Sequence, residues 1–232
     1  MLNAIHVFEY MKLRLEKLNE HGIEIEISND LDKLIDVSEG IDEHNLSPLY
    51  NTDYFDMYSE RFLWVHGTDH EGKTIHIQAS KLEDLGANSL DCLLSQQLRR
   101  GWGNKGDKKI SCCPISAKIK GRVAYHGDMW LSSKCRGDGL GRVLGTLGLA
   151  IIYSTWQPDF VFGFLESPLQ KKGVIFNHGY WNFEPLDQEW KLAFPWLYQE
   201  DFLIWMTREN LDYSFRSDFA KTRTKQRLPG NL

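Results

Sequence analysis

The segment Met129-Trp130-Leu131-Ser132-Ser133-Lys134-Cys135-Arg136-Gly137-Asp138-Gly139-Leu140-Gly141-Arg142 decides the reading of this chain. It reads as a strand entering a tight turn, with glycines at 137, 139 and 141, and an apolar helix starts at once. Glycine permits positive φ and lets a ligand approach the main chain closely. Successive N–H groups then face one concavity at a helix N-terminus, where the macrodipole favours anions. A pyrophosphate suits such a cradle, with Arg136 and Arg142 placed for charge-assisted contacts to its oxygens. Other phosphate turns fit less well. No G-x-x-x-x-G-K-[ST] run occurs. The dinucleotide fingerprint G-x-G-x-x-G also fails, because its third glycine falls on Leu144 or Arg142.

Downstream, Leu140, Val143, Leu144, Leu147 and Ile151 share one face of a helix predicted to run to Ser154. Gly145 and Gly148 lie inside it, each costing roughly 1 kcal/mol against alanine, which close packing on a sheet would offset. Phe160 to Leu165 is a short apolar run, as expected of a strand covered on both faces. A helix from about Pro168 to Phe176 follows, then strands near Tyr180 to Phe183 and Phe202 to Thr207. Upstream, Arg122 to Ser132 reads as a long strand, and Ser89 to Arg100 as a helix followed by a Gly- and Lys-rich loop to Lys109. Arg61 to Gly67 and Thr74 to Ala79 form a hairpin. Ile23, Ile25 and Ile27 alternate with polar residues in a half-buried strand. Ile5, Phe8, Met11, Leu15 and Leu18 predict an N-terminal helix stopped at His21-Gly22.

Arg136, Gly139 and Gly141 satisfy the pattern R-x-x-G-x-G. The segment resembles the acyl-CoA pyrophosphate loop of the GNAT superfamily of N-acetyltransferases, and its neighbours agree: a meander before it, a strand after the helix, then His178-Gly179-Tyr180, similar to the family's Gly-aromatic pair. The resemblance runs loosely from about residue 23 to 208 and tightly over 129 to 165. It implies an α/β fold with a mixed, mostly antiparallel sheet and a splayed central pair of parallel strands flanked by helices. The domain would span 23–214, with an extra N-terminal helix (1–22) and a polar, basic tail (215–232) expected to be solvated and frayed. The resemblance further implies acetyl-CoA or another acyl-CoA as co-substrate, held by Trp130, Leu131, Ser132, Arg136, Gly137, Asp138, Gly139, Leu140, Gly141 and Arg142. Its pantetheine arm would pair with the main chain of residues 130–132, and the acyl group would pass directly to a bound amine of a small molecule or a protein. A non-catalytic acyl-CoA-binding or protein-interaction module is the alternative reading.

Amine attack on a thioester needs a proton acceptor, and the leaving thiolate profits from a donor. Many members of that family place a glutamate where this chain has Tyr125, and a tyrosine where it has Ile175. The substitutes are Glu166 at the end of a strand, Asp128 and His126 beside the implied cleft, and Tyr180 or Tyr125 as proton donors. Cys135 adjoins the turn but has no positioned histidine in sequence. Trp181, Phe183, Trp190, Phe194, Trp196 and Tyr198 could line an acceptor pocket or simply fill a core.

The chain has 232 residues, of which 42% are hydrophobic and 25% charged. That composition is ordinary for a globular protein. A net charge of −5 gives no bulk attraction to nucleic acid or anionic membrane. No apolar run reaches the roughly 18 residues of a membrane span, and the first segment is not a secretory signal. Cys92, Cys112, Cys113 and Cys135 show no C-x-x-C pair, so the expectation is reduced thiols, no metal and a cytoplasmic setting. Homodimer pairing through edge strands or the first helix is compatible with this pattern.

Overall fold

The computed structural model describes residues 4–42, 44, 46–52, 56–102, 111–187 and 202–227. Helix α1 (Ala4–Asn19) leads into β1 (Glu24–Ser28) and α2 (Leu31–Glu39), whose N-cap Asp30 accepts from the Lys33 N–H at 3.0 Å. Then come β2 (Phe62–Thr68), β3 (Thr74–Ser89), α3 (Leu90–Trp102), β4 (Lys120–Leu131) and α4 (Leu140–Trp156). The chain continues through β5 (Phe160–Leu165), α5 (Ser167–Lys171), α6 (Val174–Asn177), β6 (Asn182–Pro185), β7 (Phe202–Thr207) and α7 (Arg208–Arg227).

These strands form one sheet in the order β1-β2-β3-β4-β5-β7-β6. Every neighbouring pair is antiparallel except β4–β5. Because side chains alternate across a strand, the sheet divides the core in two. Leu63, Val65, Ala124, Val161 and Leu165 pack beneath α1, α4 and α7. Phe62, Trp64, Val123, Tyr125 and Phe162 pack against α2, α3 and the 41–50 segment. The apolar stripe of α4 is buried along nearly its whole length, and its two glycines seat it. A Cβ at Gly148 would strike the Gln78 amide on β3, and one at Gly145 would lie 2.9 Å from His178 Cα.

Three elements differ from the sequence reading. The expected helix over 168–176 is two short ones, because Gly173 breaks it with φ 72°, a conformation open to glycine. Strand β3 runs to Ser89 rather than 79, since β4 supplies pairing partners as far as Ser89↔Lys120. In the sequence, the polar run Lys81, Glu83, Asp84 conceals that continuation. The expected frayed tail is instead helical to Arg227. Leu211 and Phe215, one turn apart, bury against the α1–α4 layer, with the Phe215 ring 4.8 Å from Tyr10 and 5.3 Å from Tyr153. Trp190, Phe194, Trp196, Tyr198, most of the 101–109 loop and residues 228–232 lie outside the described residues.

Candidate active site

Strands β4 and β5 pair in parallel only at Val123↔Phe160, Ala124↔Val161 and Tyr125↔Phe162. Beyond them β4 continues to Leu131 and β5 to Leu165 without further pairing, so the two part in a V. A bulge helps to open it. Ala79 pairs with Gly127 but Ile77 pairs with Trp130, so β4 carries one residue more than β3 across this step. Asp128 sits in that bulge with φ 52°. This is a left-handed conformation that Asp tolerates better than most residues.

At the wide end of the V, the turn expected from the sequence is in place. Gly137 and Gly139 hold φ of 109° and 74°. The Gly139 carbonyl accepts from the N–H groups of Arg142 (3.1 Å) and Val143 (3.3 Å). Among the described residues, no main-chain acceptor takes the N–H groups of residues 137–141. Five unclaimed donors therefore stand in succession at the N-terminus of a 17-residue helix. This is the anion-binding arrangement of backbone nests and helix dipoles. Arg142 is exposed and forms no ion pair among the described residues, while Arg136 folds back so that its Nε donates to the Leu131 carbonyl at 3.0 Å.

The fold is that of the GNAT acyltransferases. The strand order, the single parallel pair that parts, and the glycine turn between its first strand and the long helix carry that assignment. No protein-family model and no curated protein match the chain. Among solved structures, a Drosophila melanogaster polyamine N-acetyltransferase matches at 12% identity and TM-score 0.47, over 79% of this chain and 100% of its own. The aminoglycoside acetyltransferase AAC(6')-Ib, solved with coenzyme A and kanamycin, matches at 11% and 0.46, over 83% of this chain and 98% of its own. Arabidopsis thaliana NAA60, solved with acetyl-CoA, matches at 12% and 0.43, over 80% and 98%.

Within this GNAT fold, the main chain of residues 130–132 is less open than expected. Trp130 C=O accepts from His76 Nδ1 (2.7 Å), Leu131 C=O from Arg136, and Ser132 N–H donates to Ile75 C=O (2.8 Å). Trp130 and Leu131 also pair with Ile77 and His76 of β3, so only the main-chain groups on their β5 side remain for a pantetheine amide. The proton-handling candidates separate by environment. Asp128 is enclosed, with its side chain 3% exposed. Its Oδ1 accepts from the Ser47 N–H at 2.6 Å and lies 3.9 Å from His44 Nε2, while Oδ2 has no partner among the described residues. Burial pushes its pKa up to about 7, against the opposing pull of the Ser47 N–H. Glu166, favoured from sequence, is exposed at the end of β5, where its carbonyl accepts from the Leu169 and Gln170 N–H groups.

Tyr180 and His126 belong to a buried chain whose proton positions follow from its ends. Gln78 Nε2 donates to the Leu144 carbonyl (3.0 Å), so Oε1 faces His126 Nε2 at 2.8 Å as acceptor. That nitrogen therefore bears the proton, and Nδ1 accepts from the Tyr180 hydroxyl at 3.0 Å. The Tyr180 proton is thus already bound within the core. Burial lowers His126 to about 3, which keeps the ring neutral. Tyr125, at the family's glutamate position, is buried with its phenol pushed well up by desolvation and then by Asp128. Cys135 is no poised nucleophile, because burial, Asp69 and Asp138 hold its thiol up. Sequence reasoning missed His44, Ser47 and Tyr50, which meet the bulge from a loop; nothing in the local pattern around 44–50 marks them.

Proposed function

We propose that this protein is an acyl-CoA-dependent N-acyltransferase that passes an acetyl or other acyl group directly to an amine. The observation that carries this reading is the row of five unclaimed N–H groups, beside the uncompensated Arg142, at the open end of the β4–β5 V. A cofactor cradled there by its pyrophosphate would send its pantetheine arm into the V, where the main-chain groups of residues 130–132 on the β5 side would meet its amides. Acyl-CoA would supply the thioester. The chain's own part is to hold it, exclude water and take the amine proton. Asp128 is the assigned base, since its pKa near neutrality matches the best range for proton transfer at neutral pH. Tyr180 holds His126 in place, and Glu166 is the second candidate for the proton. A cytoplasmic setting and a homodimer remain compatible with this reading.

Thermal unfolding with acetyl-CoA, and with NAD and ATP as controls, tests the reading. Selective binding at about 100 times Kd adds roughly 2.7 kcal/mol, a rise in Tm of roughly 5 to 10 °C for this size. Arg136→Glu should shrink that rise. No rise at saturating acetyl-CoA would refute the acyltransferase assignment. A rise without thiol release on any amine would favour the binding module, to which the buried Tyr125 at the family's glutamate position also points.

A further inference from the structure

A base that works from inside the protein must also be emptied. After each transfer the amine proton sits on Asp128, whose side chain is 3% exposed, and that proton must reach water before the next transfer. The surroundings offer few ways out. The Ser47 N–H donates to Oδ1 at 2.6 Å and can only hold the oxygen. Tyr50 and Tyr125, whose phenols Asp128 helps to push up, are 1% and 5% exposed, so a proton passed to either is no nearer to solvent. His44 differs. Its Nε2 is buried 3.9 Å from Oδ1 and has no hydrogen-bond partner among the described residues, while its side chain is 11% exposed. The ring thus leads from the carboxyl toward the surface.

We infer that His44 is the proton exit of this site, carrying the proton from Asp128 to solvent between turnovers. Its use in turnover rests on the acyltransferase reading; the exchange route itself does not. An amine N–H bond breaks as the Asp128 O–H bond forms, on the unpartnered Oδ2. A half-turn of the carboxyl exchanges its two oxygens, and either one can accept from the Ser47 N–H. The O–H bond then breaks as an N–H bond forms on His44 Nε2, once a small ring rotation closes the gap to hydrogen-bond length. The imidazolium loses a proton to water, and exchange with solvent restores the free Nε2.

The environment suits a carrier rather than a second base. Burial holds His44 below its ordinary 6.5, while it raises Asp128 to about 7. The ring therefore takes the proton uphill and gives it up to water readily, so it does not retain the charge. At 3.9 Å the two groups are too far apart to fix one another by a hydrogen bond. Buried polar atoms are nearly always partnered, and here one on each group, Oδ2 and Nε2, stands open among the described residues.

The test reads the exchange directly. In the full chain labelled with carbon-13 at the aspartate carboxyls, the Asp128 resonance, assigned by its loss in Asp128→Asn, is followed through neutral pH without ligand. In the parent it should move as one averaged line with a midpoint near 7. In His44→Ala it should broaden or split as exchange slows by roughly tenfold or more, and added imidazole should restore the single line by filling the space of the missing ring. His44→Gln keeps most of the bulk and should show the slowing without the rescue. A ring that only packs would move the urea midpoint and leave the line shape alone. In turnover with acetyl-CoA and propylamine, spermidine or glycinamide, His44→Ala should keep its first turnover, lose kcat, and regain it with imidazole. A single averaged line in both variants, or slowing that imidazole does not relieve, would overturn the exit. So would a carboxyl that does not titrate near neutrality, which would also remove Asp128 as base. The expected line shapes with no thiol release from any of the amines would sustain the route and sink the acyltransferase reading instead.

Discussion

Asp128 combines three features that rarely meet in one residue: a left-handed backbone, an enclosed carboxyl, and one oxygen without a partner among the described residues. Each stems from the bulge, which adds a residue to β4 and turns its side chain toward Ser47 and His44. A carboxyl so placed accepts a proton near neutrality, whereas an exposed one would be too weak a base. Asn is isosteric, tolerates the left-handed conformation and can keep the Ser47 bond, so Asp128→Asn removes the base and little else. Its kcat/KM for amine acylation should fall by about 10²–10⁴, and the acidic limb of the parent's pH profile, with apparent pKa near 7, should vanish. An unchanged limb in the variant would pass the role to Glu166. Tyr180 donates to His126 from inside the core. Tyr180→Phe should cost about 1–3 kcal/mol of stability, seen in urea unfolding, and leave that pH limb in place.

The elements that build the V depend on close approach as much as on pairing. A Cβ at Gly163 would lie 2.6 Å from the His126 carbonyl, a main-chain atom that cannot swing aside. Gly163→Ala should therefore destabilise by about 1–3 kcal/mol, as overpacking does, visible as a lower urea midpoint at unchanged m. A variant as stable as the parent would mean that β5 shifts freely and that the V is not held at this point. What the sequence discloses follows the same division. Helix α4, β5 and the turn between 136 and 141 are legible because periodicity, length and glycine placement are local properties. Asp128 can be named from sequence but not ranked, since its burial depends on Ser47 and His44, some eighty residues earlier in the chain. Helix α7 escapes the sequence because its apolar residues are sparse: Leu211, Phe215 and Phe219 stand one turn apart among polar neighbours, and a stripe one residue wide resembles a solvated tail.

Across the whole molecule, the layer beneath α4 and the buried histidines govern the response to acid. His76 and His126 are lowered to about 3 and His178 to about 4, in each case chiefly by desolvation. In the unfolded chain each titrates at about 6.5. Near pH 5 the unfolded state therefore binds about three protons that the folded state refuses. Asp128 works the other way: folded it is protonated below about 7, unfolded only below its ordinary value near 3.8, so it holds one proton that the unfolded chain has lost. The histidines outnumber it, leaving a net uptake of about two protons on unfolding and a loss of roughly 3 kcal/mol of stability per unit fall in pH from these groups. Stability should thus fall steadily as pH drops from about 6.5 toward about 4.5, followed by urea unfolding at each pH. Asp128→Asn removes the opposing proton, so its slope should steepen to about three protons, roughly 4 kcal/mol per unit. The two curves should converge toward low pH, where the parent's Asp128 is neutral. Above about pH 7, where it is ionised and unpaired, the variant should be the more stable by up to roughly 4 kcal/mol. Parallel curves would mean that Asp128 is no more reluctant to ionise in the folded chain than in the unfolded one, and would remove the ground for its role as base.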